Sequence, residues 1–106
     1  MSADLSARRV VITGMGVISP SGNDLVRLWK NVSGGISAAA PVTRFDVSTL
    51  PVKIAAEVKD FNAGDYIKSR KPGRFDLTIQ YGVAAATMAL ADSGLDLRGM
   101  RPDRVG

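Results

Sequence analysis

The sequence predicts an α/β layered fold, and three observations carry that expectation. Three consecutive β-branched residues, Val10-Val11-Ile12, precede a glycine-rich loop and then an amphipathic helical pattern. A second strand pattern, Val52 to Val58, lies in mid-chain. A long helical pattern, apolar on nearly every face, closes the chain's second half. Strand, loop and helix in that order open an α/β layered architecture.

Each element has its local reason. Residues 1–7 read as an N-terminal arm, polar and without a secretory signal. Arg8 to Thr13 reads as a strand buried on both faces, since its β-branched residues run without alternation. Gly14 to Gly22 is a turn-rich loop punctuated by Gly and Pro. Asn23 is the predicted N-cap of the first helix, with Asp24 at the positive end of its dipole. Leu25, Leu28, Trp29 and Val32 then share one helix face, and Gly34-Gly35 ends it. Residues 36–51 are expected to be irregular, with Pro41 and Pro51 as breakers.

The second half is read the same way. Val52 to Val58 alternates roughly as a strand, and Lys59 to Asn62 begins a turn. Asp65 starts a short helix. Lys68-Ser69-Arg70-Lys71-Pro72-Gly73-Arg74 is the densest basic cluster. Phe75 to Ser93 is a long helix with Gly94 as its C-cap signal. From Tyr81 to Ala91 only Thr87 is clearly polar, so this helix is expected to be buried between other elements. A domain of 106 residues has little to wrap around it, so part of that burial is expected from further sequence. Arg104-Val105-Gly106 reads as the start of another strand.

Composition narrows the function. The chain holds 14 Lys+Arg against 10 Asp+Glu, a formal net charge of +4, which favours an acidic partner. Nucleic acid is disfavoured, because aromatics are only 6% of residues and do not interleave with a basic stripe. With no Cys and no His, the chain has no disulfide, no thiolate metal site and no Cys–His or Ser–His catalysis. The longest apolar stretch is too short to span a bilayer, and a soluble cytoplasmic protein is expected. Gly14-x-Gly16-x-x-Ser19 looks like a dinucleotide fingerprint. However, Ser19-Pro20 stands where a third small residue and an immediate helix start are needed, so a structural loop is the better reading. Asp60, Asp65 and Asp76 lie near turns and helix ends, where capping is their commoner role.

Several residues then combine. Arg8-Arg9-Val10-Val11-Ile12-Thr13-Gly14-x-Gly16-Val17-x-Ser19-Pro20-x-Gly22-Asn23 closely resembles the opening of β-ketoacyl-[acyl carrier protein] synthases of type II fatty acid synthesis. Trp29-Lys30, Gly35-x-Ser37, Phe45-Asp46 and Val58 to Asn62 continue the match. Asp76, Ile79-Gln80-Tyr81-Gly82, Asp92 to Leu95 and Arg104-Val105-Gly106 complete it. The resemblance spans nearly the whole chain and is strongest to the elongating synthase II type.

What the resemblance implies is specific. The fold would be the N-terminal part, residues 8–106, of a thiolase-like five-layer α/β/α/β/α domain, usually a homodimer. The activity would be decarboxylative condensation of malonyl-acyl carrier protein with an acyl chain held on a Cys, assisted by two His. The family's Cys and His lie beyond this segment, so no residue here is read as catalytic, and no cofactor or metal is called for. Acyl carrier protein is the implied partner, and Arg70, Lys71 and Arg74 are the candidate docking residues. Arg70 and Arg74, four apart, would share a face if helical. Here the chain departs from the family: Gly73 replaces a basic residue and Phe75 a Met. Three alternatives stand beside this reading: a polyketide ketosynthase or its chain-length partner, a non-catalytic carrier-protein interaction module, and a nucleotide-binding α/β domain.

Overall fold

The computed structural model describes residues 7–106, so nearly all of the expected arm lies outside the described residues. The first helix, α1, runs Leu25–Ser33. Its N-cap is Asp24, one residue later than expected: the Asp24 backbone is extended and its carboxylate accepts from the Arg27 N–H at 2.8 Å. Asn23 instead donates its side-chain N–H to the Lys59 carbonyl at 2.6 Å, tying the loop to the turn after the sheet. Gly34 caps the end, and Gly35 follows at a positive φ of 67°.

The sheet is a small antiparallel hairpin. Strand β1, Ala39–Pro41, pairs with β2, Ile54–Ala56, in the register Ala39–Ala56, Ala40–Ala55 and Pro41–Ile54. The strand expected over Val52 to Val58 is thus shorter, and its partner lies inside a stretch expected to be irregular. The reason is local: Ala-Ala-Pro carries almost no strand preference, and Pro41 has no N–H to donate, so only the partner strand reveals β1. The Val42 N–H resumes the pairing, donating to Lys53 at 3.0 Å.

The strand expected over Arg8 to Thr13 does not form among the described residues. A strand buried on both faces exists only when neighbouring strands and covering helices supply its hydrogen bonds and its apolar surroundings. Here Val10 is 96% and Ile12 82% exposed. The strand expected at Arg104 is likewise replaced by a 3₁₀ turn, Pro102–Arg104.

Helix α2, Leu77–Ser93, starts two residues later than expected and ends at Gly94, which takes the left-handed conformation at φ 68°. The short helix expected at Asp65 is a 3₁₀ turn, Ala63–Asp65, capped by Asn62. The expected burial of α2 is not seen: only Gln80 and Ala84 of the helix are buried, while Leu77, Ile79, Val83 and Leu90 are exposed. The structure has a radius of gyration of 18.6 Å. A self-contained domain of this length would have about 13 Å. Its accessible surface is 8822 Å², against about 5,700 Å² for a folded monomer of this mass. The elements are therefore laid out without the second layer that their apolar faces require.

One close packing is complete. The loop after residue 13 crosses α2 at Gly14 and Gly16. A Cβ on Gly14 would fall 2.6 Å from the Ser93 nitrogen, and one on Gly16 would fall 2.8 Å from the Ala89 nitrogen. The Met15 N–H between them donates to the Asp92 carboxylate at 2.9 Å. The glycine pattern thus serves backbone-to-helix approach.

Candidate functional site

Several carboxylates serve local structure, whereas Asp76, the N-cap of α2, makes no side-chain capping bond. Asp24 caps α1, Asp65 accepts from Asn62 at 3.4 Å, and Asp92 holds the glycine loop. Asp96 sits below the usual carboxylate range because Arg98 donates to it from side chain and backbone. No group of three metal-ligating side chains occurs among the described residues. The space above Gly14 and Gly16 is filled by α2, and α1 begins only at Leu25, so the loop presents no helix start where a pyrophosphate would sit.

Two features remain that could do chemistry at a surface. The first is a polar bracket. The Arg44 guanidinium donates to the Val58 carbonyl at 3.0 Å and to the Tyr81 hydroxyl at 3.1 Å, and its Nε lies 3.8 Å from Glu57. Glu57 also accepts from the Thr43 N–H and hydroxyl at 3.1 and 3.0 Å. Burial works to raise the Glu57 carboxyl, but these hydrogen bonds and Arg44 hold it below its ordinary range. Tyr81 meets Phe61 edge-on at 4.9 Å, and Phe61 stacks on Tyr66 at 5.9 Å. The bracket joins the hairpin to α2, and the sequence carried no signal for it: Arg44 and Tyr81 are 37 residues apart.

The second feature is the basic segment. Lys68, Arg70, Lys71 and Arg74 are all exposed. The ion pairs among the described residues are Arg27–Asp24, Arg44–Glu57, Arg98–Asp96 and Arg101–Asp103, so none engages this cluster. Arg70 and Arg74 do not share a helix face as expected. Arg70 precedes a 3₁₀ turn, Pro72–Arg74, because Pro72 supplies no N–H and Gly73 disfavours helix. The three candidate residues nonetheless bracket one turn: Lys71 is its N-cap, Arg74 ends it and Arg70 immediately precedes the cap. That turn is held by Arg74 N–H to Lys71 carbonyl at 3.2 Å and Phe75 N–H to Pro72 carbonyl at 3.5 Å. Exposed cations of this kind raise the encounter rate with acidic surfaces in general. No helix of the described residues is long and apolar enough to cross a membrane.

Comparison with known proteins gives a consistent answer. The family described as "Beta-ketoacyl synthase, N-terminal domain" matches residues 7–106. The 3-oxoacyl-[acyl-carrier-protein] synthase 2 of Coxiella burnetii is 40% identical over 102 residues, 96% of this chain and 25% of that protein. The protein of the same name from Vibrio harveyi is 41% identical over 102 residues, again 96% of this chain and 25% of its own length. Among solved structures, the ishigamide ketosynthase/chain length factor superposes with a TM-score of 0.78 at 40% identity. That match covers 88% of this chain and 23% of the other. The chain thus spans about a quarter of the length of the relatives it matches.

Proposed function

Because the chain belongs to the β-ketoacyl synthase family, forming the N-terminal part of its thiolase-like α/β fold, we propose that it is the opening segment of a β-ketoacyl-[acyl carrier protein] synthase. The single observation that carries this reading is the family match over residues 7–106. The reaction is a decarboxylative Claisen condensation. Malonyl-carrier protein loses CO₂, the carbon left behind attacks the thioester carbonyl of an enzyme-held acyl chain, and the enzyme thiol leaves. Such chemistry needs a thiolate nucleophile and donors where negative charge develops. With no Cys and no His, this segment supplies neither. It contributes scaffold, through the glycine loop on α2, and a docking surface. The proposed setting is a cytoplasmic homodimer. A second reading, a polyketide ketosynthase or its chain-length partner, is supported by the likeness to the ishigamide protein.

Docking is assigned to Arg70, Lys71 and Arg74, whose exposed charges suit an acidic carrier protein. Each exposed ion pair is worth about 0.2–1 kcal/mol, and such charges act mainly on encounter. In the full-length synthase, Arg70→Glu with Arg74→Glu is expected to raise KM for acyl-carrier protein several-fold, since reversal adds repulsion to lost attraction. Acyl-CoA bypasses the carrier protein surface, and its KM should change far less. Equal loss with both substrates would mean damage to the fold or active site, and the docking assignment would fall.

A further inference from the structure

We infer that Gln80 is the positioning residue of the basic turn, fixing the direction in which Arg70, Lys71 and Arg74 face a partner; this rests on the docking reading above. Gln80 is the one buried polar residue among the described residues, 7% exposed, and it lies on the first turn of α2. Its side-chain N–H donates to the Phe75 carbonyl at 2.5 Å, in a part-buried position.

The surrounding chain explains why that bond matters. The 3₁₀ turn is closed by bonds of 3.2 and 3.5 Å, the second at the weak end of hydrogen-bond geometry. Its N-cap, Lys71, makes no side-chain capping bond. Asp76, the N-cap of α2, makes none either. Neither cap side chain therefore anchors its own element, and the bonds made by the backbone at the turn's ends are long: Lys71 N–H to Ser69 Oγ at 3.3 Å and Phe75 N–H to Pro72 carbonyl at 3.5 Å. The Gln80 side chain reaches back past the helix start and takes hold of the carbonyl immediately after Arg74. A buried amide bonded to a backbone carbonyl is costly to break, because the Gln80 side chain, 7% exposed, is left without a partner. Through this bond the rigid axis of α2 sets the orientation of the turn and of the cations on it. Electrostatic recognition depends on such orientation more than on contact area.

The test uses the full-length synthase with Gln80→Met, which keeps length and apolar packing but donates nothing, and with Gln80→Glu, whose carboxylate repels the carbonyl. Two quantities are read: amide exchange at Arg74 and Phe75, and KM and kcat with acyl-carrier protein and with acyl-CoA. The expected result is faster exchange at both amides and a several-fold rise in KM for acyl-carrier protein, with kcat and the acyl-CoA KM held. Unchanged exchange would overturn the inference whatever docking does. Faster exchange without a KM change, where Arg70→Glu with Arg74→Glu does raise KM, would overturn it as well. If the charge reversal itself leaves KM unchanged, the docking reading fails and the inference falls with it. That case is recognised because the exchange still rises.

Discussion

Gly16→Ala is expected to lower the stability of the full-length synthase by about 3 kcal/mol, the upper end of ordinary overpacking costs. The added methyl would meet the Ala85 carbonyl, the Ala89 nitrogen at 2.8 Å and the Met88 Cβ at 2.8 Å. Two of these three are helix backbone, which moves only if α2 moves. Asp92→Ala works at the same crossing by a milder route. It removes the acceptor of the Met15 N–H and should cost about 1.5 kcal/mol, the low end for a bond to a charged group at an exposed site. Thermal unfolding of both variants checks the order. A Gly16→Ala protein that melts like the parent would show that the loop does not lie on α2 as described.

The second large effect concerns residues 1–106 produced alone. With acyl- and malonyl-carrier protein, the chain is expected to form no β-ketoacyl product above a no-protein control, having neither Cys nor His. It is also expected to self-associate. Val10, Ile12 and Trp29 are 96%, 82% and 71% exposed, and Met15, Leu25, Leu28, Trp29 and Val32 line an open apolar hollow of about 330 Å³. Patches of this kind drive association. Sedimentation should show aggregates or oligomers, and amide exchange should show weak protection across Leu77–Ser93. A monodisperse monomer with strong protection there would contradict the description of α2 as lacking its covering layer.

Much of the fold was legible where the signals are local. The apolar spacing from Leu25 to Val32 and the glycines at 34 and 94 placed both helices within two residues. The basic turn was legible as composition, though not as a 3₁₀ turn. What the sequence did not show depends on residues far apart. Ala39–Pro41 becomes a strand only because Ile54–Ala56 lies beside it. Met15 finds Asp92 across 77 positions, and Arg44 finds Tyr81 across 37. The Arg8 to Thr13 segment is the converse case. Its pattern is that of a doubly buried strand, but a strand is completed by neighbours, and none of the described residues provides them. Gln80 was noted only as part of a family pattern, since nothing local distinguishes a buried glutamine from a solvated one on a helix.

The measurement that bears most directly on the account is a condensation assay of the full-length protein that carries this segment. Purified and supplied with acyl-carrier protein and malonyl-carrier protein, it is expected to release CO₂ and form a β-ketoacyl-carrier protein two carbons longer than the acyl donor. The product should vanish when malonyl-carrier protein is omitted. A well-folded full-length protein that binds both carrier-protein substrates yet yields no CO₂ and no elongated product would contradict the assignment as a condensing enzyme.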